Sequence, residues 1–167
     1  MGEAAGWAGG IAVASLAALD AAEAARTDRR TQAERLNAAV QADGEAFFGR
    51  MAAACGAGAR AFNAAVKADL VEDPRTTNMR WCFSVRAGSQ GFVIVSARLE
   101  TALGAPAPGC MVRHQIHGNG GERPFDFTLT DDGALAMRWD GDELDAERFA
   151  ERVMTPWLQQ IHLAAAG

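Results

Sequence analysis

The sequence predicts an α+β fold: an N-terminal helix or helical hairpin, an antiparallel meander of four to five strands, and a C-terminal helix, arranged in two layers. Three observations carry this expectation. Large apolar residues between Leu36 and Val66 recur at three-, four- and seven-residue spacings, the period of one helical stripe. Between positions 79 and 140 they alternate with polar residues, the period of a half-buried strand. From Phe149 they return at every fourth residue.

Taken in order, residues 1–26 form an Ala-rich segment, expected to be helical but weakly patterned, and residues 27–167 form a single domain. Thr27 or Asp28 can cap a helical region spanning 27–73, whose stripe is Leu36, Val40, Phe47, Met51, Cys55, Phe62 and Val66. Asp73-Pro74 is the expected stop, because proline disfavours helix at the residue before it. Trp81, Phe83 and Val85 make a first strand, and Gly88-Ser89-Gln90-Gly91 a turn. Val93, Val95, Ala97 and Leu99 follow, then a loop punctuated by Pro106 and Pro108. Val112, His114 and Ile116 make a third strand; Gly118-Asn119-Gly120-Gly121 turns the chain into Phe125, Phe127 and Leu129. Asp131-Asp132-Gly133 is a hairpin turn leading to Leu135, Met137 and Trp139. Asp145 caps the closing helix, 145–164, with Leu144 and Phe149 at staple positions; Pro156 removes one of its hydrogen bonds.

Four glycines (Gly44, Gly49, Gly56 and Gly58) interrupt the first helical stripe at a cost of about 1 kcal/mol each relative to Ala. Either the helix breaks near Asp43-Gly44, or glycine admits a close neighbour. That neighbour is either segment 10–25, burying Leu16 and Leu19 against Phe47 or Phe62, or a second chain meeting Leu36, Val40, Phe47 and Met51 in a homodimer.

Composition narrows the function classes. A net charge of −5 works against a phosphate backbone, so nucleic acid is not an expected partner. Fifteen arginines stand against the single Lys67, with abundant Ala and Gly, a bacterial-type composition. The longest apolar run, Gly6 to Leu19, falls short of the roughly 20 residues a bilayer span needs, and no membrane role is expected. Glu3 stands where a secretory leader carries positive charge. Cys55, Cys82 and Cys110 are odd in number and widely spaced, which suits reduced thiols in the cytoplasm rather than a disulfide framework or zinc site.

No catalytic constellation emerges, and no cofactor or metal is expected. His114 and His117 resemble a metal pair, but on a strand residues three apart face opposite ways. Cys82, Ser84 and His117 share the polar phase of the sheet, so a thiol–imidazole pair is conceivable there. The glycines at 118–121 lack the lysine and following helix of a phosphate loop, and Asp131, Asp132, Asp140, Asp142 and Glu143 do not have calcium-loop spacing. The non-core sheet face collects Arg80, Arg86, Arg98, Arg113 and Arg138, with Ser84, Ser96, Gln115, His117, Asp126 and Thr128. Guanidinium groups bind carboxylate or phosphate bidentately, so Arg80, Arg98, Arg113 and His117 are the candidate ligand-binding residues. The expectation is a non-enzymatic interaction or regulatory domain that associates with itself or a protein partner through its helical region. The alternative is a small-molecule or anion-binding protein, or an enzyme, using the arginine-rich face or a site between sheet and helices.

Overall fold

Between Ile11 and Asp43 the sequence contains neither glycine nor proline, and alanine dominates. Nothing there stops helix propagation. In the computed structural model, which describes residues 6–77, 81–99 and 107–165, α1 accordingly runs unbroken over Gly6–Val66. Thr27 is therefore not a cap: it sits mid-helix, its hydroxyl donating to the Glu23 carbonyl at 3.1 Å. The helix does not break at Gly44 either.

The stop also comes earlier than Asp73-Pro74. Lys67 takes a left-handed conformation (φ 54°) and the Ala68 amide donates back to the Asn63 carbonyl at 3.2 Å. This is the Schellman closure, with lysine in the position glycine usually fills. The Asn63 side chain secures the reversal: it donates to the Val71 carbonyl at 2.8 Å and accepts from the Leu70 and Val71 amides at 3.1 and 3.0 Å.

The sheet has seven antiparallel strands in sequential order, more than the four to five expected. They are β1 (Arg75–Thr76), β2 (Cys82–Ala87), β3 (Gly91–Arg98), β4 (Gly109–Ile116), β5 (Asn119–Leu129), β6 (Leu135–Trp139) and β7 (Asp142–Leu144), followed by α2 (Ala146–Ala165). The two unexpected strands are the edges, two and three residues long, too short to display a period. The central five match the expected strands.

The chain divides into two compact units, Met1–Arg35 and Leu36–Gly167. Within the second, register places the apolar alternates on one face: Phe83 opposite Val95, Val85 opposite Val93, Cys110 opposite Phe125, and Phe127 opposite Met137. Both helices cover this face. Phe47 of α1 meets Phe127 edge-on at 5.4 Å, and Phe149 of α2 meets Phe125 edge-on at 5.0 Å. Val40, Phe47, Met51 and Cys55 are all buried here, so the stripe expected to serve a second chain is occupied by the protein's own sheet. Leu16 and Leu19, which one of the two alternatives for the glycine-rich stripe would bury, are exposed.

α2 begins as the sequence indicates. Asp145 accepts the Arg148 amide at 2.8 Å, and Leu144 and Phe149 are both buried. Phe149, Val153, Trp157 and Ile161 face the sheet, and the helix continues through Pro156.

Candidate functional site

Among the described arginines of the non-core face, Arg98 is committed to structure, whereas Arg86, Arg113 and Arg138 remain exposed. Arg98 of β3 pairs in register with Gly109 of β4, which pairs in turn with Asp126 of β5. With no side chain at 109, the Arg98 guanidinium crosses the intervening strand and forms an ion pair with Asp126. It also donates to the Ala107 carbonyl at 3.1 Å and, at 3.4 Å, to that of Phe125. Its side chain is only 17% exposed. Arg113 forms a cross-strand pair with Glu122 at 3.1 Å, both about half exposed, an arrangement worth under about 1 kcal/mol. Arg138 donates to the Thr128 hydroxyl at 3.0 Å. Arg80 lies outside the described residues.

His117 does not end a strand on the polar face. Together with Gly118 it forms a two-residue turn, both with positive φ (48° and 82°), joining β4 to β5 as a primed hairpin. Gly120 and Gly121, read as turn residues, belong to β5. A Cβ at Gly121 would come within 3.0 Å of the His114 imidazole, so this glycine makes room for that ring. Cys82 pairs through Ser96 to Met111, whereas His117 lies six strand steps further along, roughly 20 Å away. The structure therefore does not bring the conceivable Cys82–His117 pair together. Among the described residues, no three His, Cys, Asp or Glu side chains cluster as metal ligands would.

Cys55 and Cys110 are buried thiols. Burial raises Cys55 from 9.0 to about 12. Burial also pushes Cys110 up, with Arg98 opposing and Asp126 adding to the shift. Both thiols thus ionise more readily in the unfolded chain. Their neutral forms impose no penalty below pH 9.0, and stability falls as pH rises from there toward about 12. The expected slope is about 1.4 kcal/mol per pH unit for each thiol. Urea midpoints measured on either side of pH 9.0 check this, and Cys55→Ala should reduce the slope by about half.

A cavity of about 220 Å³ lies between the sheet and α2, lined by apolar Val93, Val112, Phe125, Val153 and Pro156. Trp139 and Trp157 complete its walls, with His114, Arg123 and Gln160 as polar members. The Arg123 guanidinium lies 5.0 Å from both the Phe125 and Trp139 ring centres and pairs with Asp140 at 2.6 Å. Trp157 is 3% exposed, and its indole Nε1–H has no acceptor among the described residues. Such an orphan donor is costly when buried. Sequence patterning marked Trp157 as core but carried no sign of this cavity, because its wall residues come from five different elements.

The second feature is the opening part of α1. Trp7, Ile11, Val13, Leu16 and Leu19 are 56–69% exposed. At about 100° per residue, Trp7 and Ile11 lie on one side of the helix, Val13 and Leu16 on the other, and Leu19 between them. Soluble proteins rarely leave so many large apolar groups uncovered in one place. No family model, curated protein or solved structure matches the chain.

Proposed function

We propose that this protein is a non-enzymatic association module, in which the opening part of α1 docks and the unit from Leu36 onward is the cargo it positions. The exposed Trp7, Ile11, Val13, Leu16 and Leu19 carry this reading. The reading keeps helix-mediated association but moves it from the 36–51 stripe, which is buried in the core, to residues 7–19. The working place of the folded unit is the cytoplasm, in keeping with its three unlinked thiols. A triple substitution, Ile11→Glu, Val13→Glu and Leu16→Glu, should abolish association while leaving the urea midpoint of the folded unit unchanged. Sedimentation and vesicle flotation of the full chain measure the loss. A wild-type chain that remains monomeric and lipid-free in both assays refutes the reading.

A second reading is favoured by the cavity beneath α2. It would take a small, largely apolar ligand with a hydrogen-bond acceptor, Arg123 supplying the donor. Benzoate is a suitable probe. Filling the space with Val153→Trp should abolish its binding, and Arg123→Gln should weaken it about tenfold, or about 1.4 kcal/mol. Calorimetry checks both values, and absence of heat with wild type rejects the site.

A further inference from the structure

We infer that the partner of the opening part of α1 is a lipid bilayer, into which residues 7–19 insert. This rests on the association reading above. The choice between lipid and a second protein chain turns on where the apolar residues point. A protein partner, whether a second copy or another helix, covers one stripe and leaves the rest polar. Here Trp7, Ile11, Val13, Leu16 and Leu19 surround the helix, and the positions between them are Ala, Gly and Ser. No single stripe partner covers them, whereas lipid covers every side.

Length and charge agree with this. By length and composition α1 is long and apolar enough to cross a bilayer, and the apolar 18-residue stretch is not buried at all. Residues 7–19 rise about 20 Å, and the apolar 18-residue stretch about 27 Å, against a hydrocarbon thickness of roughly 30 Å. The apolar run in sequence is shorter because it ends at Asp20, yet the helix passes Asp20 without a break, so its apolar face extends into Ala21, Ala22, Ala24 and Ala25. Charge then becomes dense: Asp20, Glu23, Arg26, Asp28, Arg29, Arg30, Glu34 and Arg35 occupy half of positions 20–35. Such an abrupt boundary is what a helix shows where it leaves hydrocarbon for headgroups. Trp7 stands toward the other end, with the amphipathic ring favoured at an interface. Arg26, Arg29, Arg30 and Arg35 assign their side of the membrane to the cytoplasm by the positive-inside rule. Gly9 and Gly10, with nothing near either, weaken a helix in water but are common in membrane helices.

The experiment uses the full chain with vesicles of mixed phosphatidylcholine and phosphatidylglycerol. Most of the protein should float with the vesicles and stay bound through a high-salt and alkaline-carbonate wash. The triple substitution Ile11→Glu, Val13→Glu and Leu16→Glu should reduce flotation at least about tenfold, while the urea midpoint stays put. Lipids brominated in their acyl chains should quench part of the tryptophan fluorescence, and Trp7→Phe should remove that quenching, since Trp81 and Trp157 are buried in the folded unit and the half-buried Trp139 lies under Arg123 and Arg152. Mass spectrometry of the chain recovered from cell membranes should find residues 7–19 still attached. Recovery of a shortened chain overturns the inference. So does a full chain that stays in the soluble fraction beside vesicles: if it then sediments as an oligomer that the triple substitution disperses, association stands with a second copy as occupant, and if it sediments as a monomer both readings fall.

Discussion

Truncating Phe127 to Ala should destabilise the folded unit by about 3–5 kcal/mol, the range for a buried aromatic. Phe127 is 2% exposed and sits at the meeting point of sheet and helix. Its ring contacts Phe47 edge-on at 5.4 Å and Phe48 at 6.3 Å, while its strand partner Met137 is wholly buried. Two α1 residues therefore lose their contact at once, and neither can relax into the gap without moving the helix. Against a typical domain stability of about 5–15 kcal/mol, the loss is large enough to read directly from urea midpoints. Phe92→Ala is the matched control. Phe92 lies on the opposite face of β3, half-buried and between Arg86 and Gln115 in register, lining a surface cleft with residues of β2, β3, β4 and the turns that join them. Its removal should cost well below the Phe127 figure, about 1 kcal/mol or less. Equal losses at the two positions would mean that the helices do not cover the face assigned to them.

The contrast between those two phenylalanines also shows how much the sequence makes legible. Strand phase is legible where at least three alternate residues of one run are apolar or face the core, which is why the central strands β2 to β6 follow from the sequence. The edges escaped for a physical reason: β1 and β7 owe their pairing to neighbours rather than to their own pattern. One signal for β7 was present in Asp140-Gly141, whose positive φ values of 51° and 95° make a primed turn. His117 was misplaced because a left-handed histidine preceding Gly118 looks like strand continuation, and Lys67 concealed the helix end in the same way. The candidate site was less legible. Arginine phase correctly located a polar face, but it cannot reveal that Arg98 is committed to Asp126 across Gly109. The apolar run near the N-terminus was visible; that it continues as one helix past Asp20, with its large side chains uncovered, was not.

Glycines in α1 should respond to alanine with opposite signs. Gly49→Ala and Gly58→Ala should each stabilise the folded unit by about 0.5–1 kcal/mol, because alanine restricts the unfolded chain and favours helix. A Cβ at either position meets nothing within 4 Å. Gly44→Ala gains the same propensity but meets an obstacle: its Cβ would lie 2.7 Å from Cη2 and 2.9 Å from Cζ3 of Trp81. Ordinary contact begins near 3.4 Å, so the indole must move by about 0.7 Å. Trp81 has little freedom to do so. It is 7% exposed, its ring stacks on Phe48 at 5.9 Å, and its backbone is held at φ 57°. Overpacking of this kind costs about 1–3 kcal/mol, which outweighs the propensity gain. Gly44→Ala should therefore lower the thermal midpoint while the Gly49→Ala, Gly58→Ala double variant raises it. Pairing Gly44→Ala with Trp81→Leu, which shortens the obstructing side chain, should abolish the added penalty of the glycine substitution, though Trp81→Leu carries its own cost. Non-additivity of about 1 kcal/mol or more in that cycle locates the conflict at the Gly44–Trp81 contact. Additive losses would mean that the helix and the start of β2 do not approach as closely as the fold requires.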